Sequence, residues 1–283
     1  MRLNLRAILW LIRRSLVAAF NDGCFSIAKG AAYSALLSFF PVLTSAAAIL
    51  VQTRAEFVSR TIEAFLSEVV PPGSEELVVR QFRAVGARPA TLLVAAALIS
   101  LWAASSVVKS LMEGFTAAYH IPRARGFFHR SGIAIALVLL SLLPLLGASL
   151  LILFGGETEG MVVRALQKDP LNPPAWVWLT LGRVSRYAIA FAATVLVTAL
   201  LYYFGPYRRQ HWRFVWPGAV LATAAWMAAT TGFGWYVRHV GNYNLIYGSI
   251  GAGIALLVWM YLLAAIALIG CEFNAEFERS MTM

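Results

Sequence analysis

Six long windows without a charged residue constrain this chain more than any other feature. A helix rises about 1.5 Å per residue, so about 20 apolar residues are needed to cross roughly 30 Å of hydrocarbon. The windows are residues 30–53, 89–108, 131–156, 187–207, 214–237 and 240–271. The chain is also 60% hydrophobic and only 13% charged, whereas a typical soluble domain has about 25% charged residues. The sequence therefore predicts an all-α integral membrane protein with six transmembrane helices.

The predicted layout is one membrane domain preceded by a short amphipathic segment. Residues 1–28 form the cytoplasmic N-terminal segment, and residues 29–283 form the six-helix membrane domain. The spans are expected at about 31–52, 90–108, 132–154, 186–205, 214–237 and 248–271. The loop 54–88 contains Pro71-Pro72-Gly73, then a serine before two glutamates, which favours two short helices around a turn. We expect this periplasmic helical loop to form a small cap on the outer face.

The basic residues predict which side of the membrane holds the termini. Lysine and arginine concentrate in the cytoplasmic loops of membrane proteins. With six spans both termini share one side, and that side would carry 13 basic and five acidic residues. The other side would carry ten basic and eight acidic residues. The resulting excess of positive charge predicts that both termini are cytoplasmic.

Residues 1–20 have the pattern of a basic amphipathic helix. At about 100° per residue, Arg2, Arg6, Arg13 and Arg14 fall within about 120° of one another, and the leucines and isoleucines fall largely elsewhere. Helices of this kind lie in the headgroup layer and are attracted to anionic lipids. The leading interpretation is a helix on the cytoplasmic leaflet. A helix packed on the protein's own cytoplasmic loops is the alternative.

The sequence lacks the clustered groups that enzymes use. The four histidines stand apart, and no zinc-protease, nucleophile-elbow, P-loop or dinucleotide-binding motif is present. Cys24 and Cys271 are far apart and form no CxxC pair, so we expect both thiols to be reduced and without a role. We therefore predict no enzymatic activity, no catalytic residue, no metal and no cofactor.

The centres of the spans carry no charged residue, unlike those of proton pumps and many coupled transporters. Their serines and threonines most often bond to their own helix backbone. Pro41 and Pro144 interrupt spans one and three, and each removes an intrahelical hydrogen bond. Kinks beside a small-residue face, such as Gly30, Ser34 and Ser38, can line a cavity, but they are also ordinary in packed bundles.

The candidate functional cluster lies where the first span begins and the last span ends. Lys29 enters span one and Glu272 leaves span six at the same depth, and Tyr33 is one turn inside Lys29. Glu276 lies one turn beyond Glu272 on the same face, whereas Asn274 points away from both. Carboxylates are unfavourable at a helix C-terminus. We therefore hypothesise a Lys29–Glu272 ion pair that closes span one against span six; a solvated acidic end without a partner is the alternative.

Two stretches of the chain resemble a known family. The first is KGAAYSALLSFFPVL, at residues 29–43, and the second is YGSIGAGIALLVWMYLLAAIALIGCEFNAEFE, at residues 247–278. Both are similar to the YihY/BrkB family of bacterial inner-membrane proteins, long mislabelled as a tRNA-processing ribonuclease. With these stretches included, the candidate cluster comprises Lys29, Tyr33, Pro41, Tyr247, Gly248, Trp259, Glu272, Asn274 and Glu276.

The resemblance implies a multi-pass protein of the bacterial inner membrane with a role in envelope lipid handling, and it supplies no catalytic residues. Together with the uncharged span centres, it favours a transporter or flippase-like conduit for a lipid or amphiphile. The alternative is a non-transporting scaffold whose outer cap docks a periplasmic lipid-transfer or envelope-assembly partner. No residue set supports a ribonuclease. The expected partners are anionic lipid headgroups and a periplasmic protein, with no nucleic acid; a homo-oligomer is left open.

Overall fold

Seven α-helices make up the part of the chain that the computed structural model describes, which is residues 5–52, 90–122, 126–166, 175–208, 210–239 and 249–282. The helices are α1 (Leu5–Asn21), α2 (Cys24–Gln52), α3 (Ala90–Ala118), α4 (Phe127–Leu166), α5 (Ala175–Phe204), α6 (Trp212–His239) and α7 (Ser249–Thr282). Six of these, α2 to α7, are long and apolar enough to cross a membrane. The predicted all-α membrane fold with six spans is confirmed. The predicted outer cap at 54–88 lies outside the described residues.

The six long helices form a closed ring. Each helix from α2 to α6 packs against the next one in the sequence, and α7 packs back against α2. The contact between α2 and α3 is the most extensive, and α7 also reaches across the ring to α3. The N-terminal helix α1 packs mainly against α7. Both ends of the chain therefore lie at the same end of the bundle, which we call the terminal end.

The last helix is longer than a membrane span requires. It runs for 34 residues without a break, past the span end expected at residue 271. At 1.5 Å per residue it is about 51 Å long, compared with roughly 30 Å of hydrocarbon. Its glutamates therefore belong to a continuous helix rather than to a tail. Glu272, Asn274 and Glu276 are all buried in the protein.

One face of α1 is buried against the protein, and the opposite face is exposed. Leu11, Ser15 and Ala19 are buried, and Leu11 joins a core cluster with Phe273 and Phe277 of α7. On the opposite face, residues with long apolar or basic side chains are exposed; they are Arg6, Leu9, Trp10, Arg13, Leu16, Val17 and Phe20. The helix thus packs along one face on α7, rather than on cytoplasmic loops as the alternative interpretation expected. Its free face has the composition of a headgroup-layer helix.

Hydroxyl groups join α2 to α3 around Pro41. The Ser100 hydroxyl donates a hydrogen bond to the Pro41 carbonyl oxygen at 2.8 Å and lies 2.7 Å from the Ser45 hydroxyl. Ser34 and Ser110 form a second, longer contact between the same helices. Several other hydroxyls of the described spans, such as those of Ser106, Thr194 and Thr198, bond to their own helix backbone, as expected for isolated hydroxyls in a bundle. Pro41 therefore lies at a helix junction.

The junction of α6 and α7 is close enough to require glycine. A Cβ atom added at Gly218 would lie 2.2 Å from the Gly270 carbonyl oxygen, and one at Gly270 would lie 2.4 Å from the Tyr202 hydroxyl. Two helix backbones can approach this closely only where neither carries a side chain. The Tyr202 hydroxyl also donates to the Ala267 carbonyl at 2.6 Å. These contacts hold α5, α6 and α7 together.

Asn274 completes this junction by bonding the backbone of α6 with both ends of its amide. Its Oδ1 atom accepts a hydrogen bond from the Gly218 N–H at 2.7 Å, and its Nδ2 atom donates to the Val215 carbonyl at 2.9 Å. Pro217 lies between these two residues inside α6 and has no N–H to donate. Asn274 therefore supports α6 where proline weakens the helix.

Replacing Asn274 by alanine should lower the free energy of unfolding by about 1–3 kcal/mol, because two buried backbone groups lose their partner. The matched control is Asn21→Ala, since Asn21 is exposed at the end of α1. We expect a lower midpoint of thermal unfolding in detergent for Asn274→Ala and little change for Asn21→Ala. Equal midpoints for the two variants would contradict the role given to Asn274.

Candidate functional site

An apolar cavity of about 270 Å³ lies inside the ring. All six long helices contribute to its wall, from Ala31 on α2 and Val107 on α3 to Met260 on α7. Two of its polar residues, Thr194 and Thr198, donate their hydroxyls to carbonyls of their own helix, so they offer little polarity to the interior. A cavity with this lining favours hydrocarbon over water.

Thr223 is the exception in the cavity wall. Its side chain is 1% exposed, and its hydroxyl has no hydrogen-bond partner among the described residues. A buried hydroxyl without a partner costs about 1–3 kcal/mol, and buried polar groups in proteins are nearly always bonded. Binding pockets for amphiphiles combine an apolar lining with a few such polar groups. Thr223 is therefore the lining residue whose hydroxyl is left without a partner in the described part of the chain.

Three fully buried side chains close the cavity towards the terminal end. Phe115 and Tyr202 line it and contact each other edge to face, with ring centroids 5.3 Å apart. Leu268 of α7 fits against Gly114 of α3, where an added Cβ would lie 2.3 Å from a Leu268 methyl carbon. We call Phe115, Tyr202 and Leu268 the plug. It separates the cavity from the charged groups of the terminal end.

The hypothesised Lys29–Glu272 ion pair is absent from the structure. Lys29 is exposed, whereas Glu272 is fully buried and contacts Cys24 at the start of α2. Lys29 follows Cys24 by five residues, which turns it about 140° around the helix and away from α7. Tyr33, one turn further along, is 60% exposed on that same outer side. The alternative of a solvated acidic end is also wrong for Glu272, because the residue is buried.

Glu276 is paired with arginines that the sequence analysis did not select. Arg14 of α1 forms an ion pair with one carboxylate oxygen, and Arg279 donates a hydrogen bond to the other. Arg279 also donates to the Ala118 carbonyl at 3.0 Å, which satisfies a carbonyl at the C-terminus of α3. Glu276 thus connects α1 and, through Arg279, α3 to the last helix. Its charge is balanced by two cations.

Glu278 is paired at the rim of the same end. Arg208 donates a hydrogen bond to its carboxylate at 2.6 Å, and the guanidinium lies over the Tyr119 ring, 4.8 Å from the centroid. Burial raises the pKa of Tyr119, so its phenol stays neutral beneath the cation. This stack adds a cation–π contact to the ion pair. The segment after α5 is thereby fixed to α7.

Glu272 has a different environment from the two paired glutamates. One carboxylate oxygen accepts a hydrogen bond from the Cys24 thiol at 3.3 Å, and the other has no partner among the described residues. Asp22 lies in the turn between α1 and α2, two residues before Cys24, which places its carboxyl group near Glu272. Asp22 in turn contacts the His120 ring nitrogen at 2.9 Å. We call Asp22, Cys24, His120 and Glu272 the acidic cluster.

The remaining predicted site residues do not converge on one place. Trp259 donates its indole N–H to the Thr230 hydroxyl at 3.3 Å and so joins α7 to α6. Pro41 lies at the α2–α3 junction described above, and Lys29 and Tyr33 face outward. Tyr247 and Gly248 lie outside the described residues. Of the predicted set, the structure brings together Glu272, Asn274 and Glu276, on one buried part of α7.

Several residues of the two sites were missed by sequence reasoning. Asp22, Cys24 and His120 carry no motif, and Cys24 was expected to have no role. Thr223 looks like any other hydroxyl in a span, and only its lack of a partner distinguishes it. A signal did exist for Arg14, because a buried acidic helix end requires cations from neighbouring elements.

Removing Arg14 should loosen α1 from α7, because Glu276 then keeps only Arg279 as a cation partner. We expect faster hydrogen exchange of the α1 amides in Arg14→Ala than in the wild-type protein, measured by mass spectrometry in nanodiscs. Arg13→Ala is the control, since Arg13 is the adjacent, exposed arginine on the same helix. If the two variants exchanged α1 amides at the same rate, Arg14 would not hold the helix.

Comparison with known proteins places these features in a family. The family described as virulence factor BrkB matches residues 16–283. The ribonuclease-like protein YfkH of Bacillus subtilis (strain 168) is 29% identical over 248 residues, covering 86% of each chain. A UPF0761 membrane protein of Alkalilimnicola ehrlichii is 27% identical over 256 residues, covering 90% of this chain and 55% of the relative.

The family is thus spread across proteins of different length. Another UPF0761 membrane protein, from Nitrosospira multiformis, is 26% identical over 267 residues, which is 92% of this chain and 59% of the relative. The chain therefore spans a little over half the length of these two UPF0761 relatives. No solved structure matches. Because the family match covers nearly the whole chain, from α1 to the C-terminus, this protein belongs to the BrkB family of membrane proteins.

Proposed function

We propose that the protein is a conduit for a lipid or other amphiphile across the bacterial inner membrane. The observation that carries this proposal is the apolar cavity lined by residues of all six long helices. Each methylene group that leaves water for such a cavity contributes about 0.8 kcal/mol. The unpartnered Thr223 hydroxyl, in the wall of the cavity, is the candidate polar contact for a bound amphiphile. An amphiphile has both kinds of group.

The size of the cavity limits what it holds at one time. Its volume of about 270 Å³ is near the lower limit of about 300–1,000 Å³ for small-molecule pockets. It therefore accommodates part of an acyl chain rather than a whole lipid. The rest of the molecule would lie between helices or in the bilayer. This fits a passage that opens stepwise better than a permanently open pore.

The exposed residues of α1 at the terminal end support the orientation in which both termini are cytoplasmic. The free face of α1 carries Arg6 and Arg13 beside exposed Leu9, Leu16 and Phe20. Apolar side chains on such a face enter the acyl region while the arginines contact anionic headgroups. Together with the excess of basic residues on this side, this supports cytoplasmic termini. The plug would then separate the cavity from the cytoplasmic surface.

Filling the cavity should stop lipid movement without disturbing the outside of the ring. Ala264 lines the cavity on α7, so Ala264→Trp places a large side chain in it. Leu143→Trp is the matched control, because Leu143 is 81% exposed on α4. We expect purified protein in proteoliposomes to move fluorescent anionic phospholipid between leaflets. Ala264→Trp should slow that movement at least about tenfold, and Leu143→Trp should leave it unchanged.

Two outcomes would overturn the proposal. One is wild-type protein that moves no lipid and retains none through purification, which would favour the scaffold alternative. The other is Ala264→Trp protein, monodisperse and with a wild-type unfolding midpoint, that moves lipid at the wild-type rate. If Ala264→Trp fails to fold, the same test is made with Ala35→Trp, which places the tryptophan side chain in the same cavity from α2.

A further inference from the structure

We propose that Asp22 and Glu272 form a proton-binding site at the terminal end, with His120 as its connection to the solvent. The site lies outside the cavity, on the other side of the plug. It goes beyond the proposed conduit function, and its existence does not depend on lipid movement. The ligand is a proton held between two carboxyl groups.

Two glutamates one turn apart on α7 have opposite surroundings. Glu276 is held by Arg14 and Arg279, so its negative charge is balanced within the protein. Glu272 is equally buried, but no ion pair reaches it in the described part of the chain. When neighbouring acids have such different environments, one stays ionised and the other holds a proton. The structure therefore assigns the proton to the Glu272 side.

The groups that face Glu272 do not replace a cation. The α2 helix contributes the Cys24 thiol, the turn before it contributes Asp22, and α7 itself contributes Cys271. Arg279 acts on Glu272 from a distance, while its hydrogen bonds go to Glu276 and the end of α3. An isolated buried carboxylate is strongly unfavourable. Protonation removes this cost without any rearrangement of the backbone.

The nearby carboxyl group of Asp22 provides a second reason to expect a bound proton. Ionised carboxylates only accept hydrogen bonds, so two of them can share a hydrogen bond only when one is protonated. Like charges at close range also prevent both groups from ionising together. A proton between Asp22 and Glu272 satisfies both conditions. The unpartnered oxygen of Glu272 would then either carry the proton or accept a hydrogen bond from a protonated Asp22.

The acidic cluster forms a path from the surface to the buried carboxyl group. The side chain of His120 is 61% exposed and that of Asp22 is 17% exposed, with 2.9 Å between the His120 ring nitrogen and the Asp22 oxygen. Glu272 lies behind them and is fully buried. An imidazole ring can both accept and donate a proton, which suits His120 to the outermost position. Protons can thus enter without passing the plug.

The presence or absence of the proton at this site affects how the start of α2 packs against α7. Glu272 contacts the first residue of α2, and Leu268 of the plug lies one turn before Glu272 on the same face of α7. Loss of the proton leaves two negative charges close together between these elements, and their repulsion separates the start of α2 from α7. We therefore expect alkaline pH to loosen the terminal end, including the side of the plug.

Infrared spectroscopy of the whole protein in nanodiscs tests the proton directly. A protonated carboxyl group gives a carbonyl stretching band distinct from those of carboxylates and amides, and the band shifts in heavy water. We expect this band at neutral pH in the wild-type protein, its loss on alkaline titration, and its absence in Glu272→Gln. Glu276→Gln, the control one turn away, should keep the band, because Glu276 is paired with two arginines.

A second variant tests the contribution of Asp22. In Asp22→Asn the amide can donate to an ionised Glu272, so the band should disappear at lower pH than in the wild-type protein. An unchanged titration would remove Asp22 from the site. A neutral-pH spectrum that is the same in the wild-type protein and in Glu272→Gln would overturn the proposal altogether. Because none of these readouts involves lipid, failure here leaves the conduit proposal standing, and failure of lipid transport leaves this site standing.

Discussion

The burial of the acidic end of α7 is the constraint on which the terminal end of this protein depends. Three glutamates and an asparagine follow an apolar span within one continuous helix, and three of these four residues are buried. Each buried polar group must find a partner, because an unpaired charge or hydrogen-bonding group inside the protein is costly. The partners come from α1, the start of α2, the segment after α5, and α6, and Arg279 of α7 itself joins Glu276 to the end of α3. One helix end therefore organises most of the bundle.

The same packing separates two environments. On one side of the plug lies the apolar cavity, whose wall contains the unpartnered Thr223 hydroxyl. On the other side, Glu276 and Glu278 are paired with arginines, whereas Glu272 has no cation partner among the described residues. Glycines at the α6–α7 junction and the Tyr202 hydrogen bond hold the boundary in place. An amphiphile conduit needs both parts, since the apolar tail and the polar headgroup must be handled in different surroundings.

Much of the fold could be predicted from the sequence, because windows without charge and amphipathic periodicity are local properties. The six spans and a helix at the N-terminus follow from them. The partner of Glu272 could not be predicted, since the rotation of α2 decides whether Cys24 or Lys29 faces α7. The same holds for Arg14 and Arg208, which reach the glutamates only through long-range packing. The cavity depends on which side chains meet across the ring, and Thr223 has no local signal that separates it from Thr198.

The most direct measurement of the central claim is the lipid retained by the purified protein, determined by native mass spectrometry. Thr223→Val should lower the occupancy of the bound amphiphile by about 2- to 12-fold, as expected for one lost hydrogen bond, while remaining at least as stable as the wild-type protein, because an unpartnered hydroxyl is replaced by a methyl group. Thr198→Val, in the same cavity but with a satisfied hydroxyl, should retain it. Retention of the same amphiphile, at the same occupancy, by Thr223→Val and the wild-type protein would contradict the account.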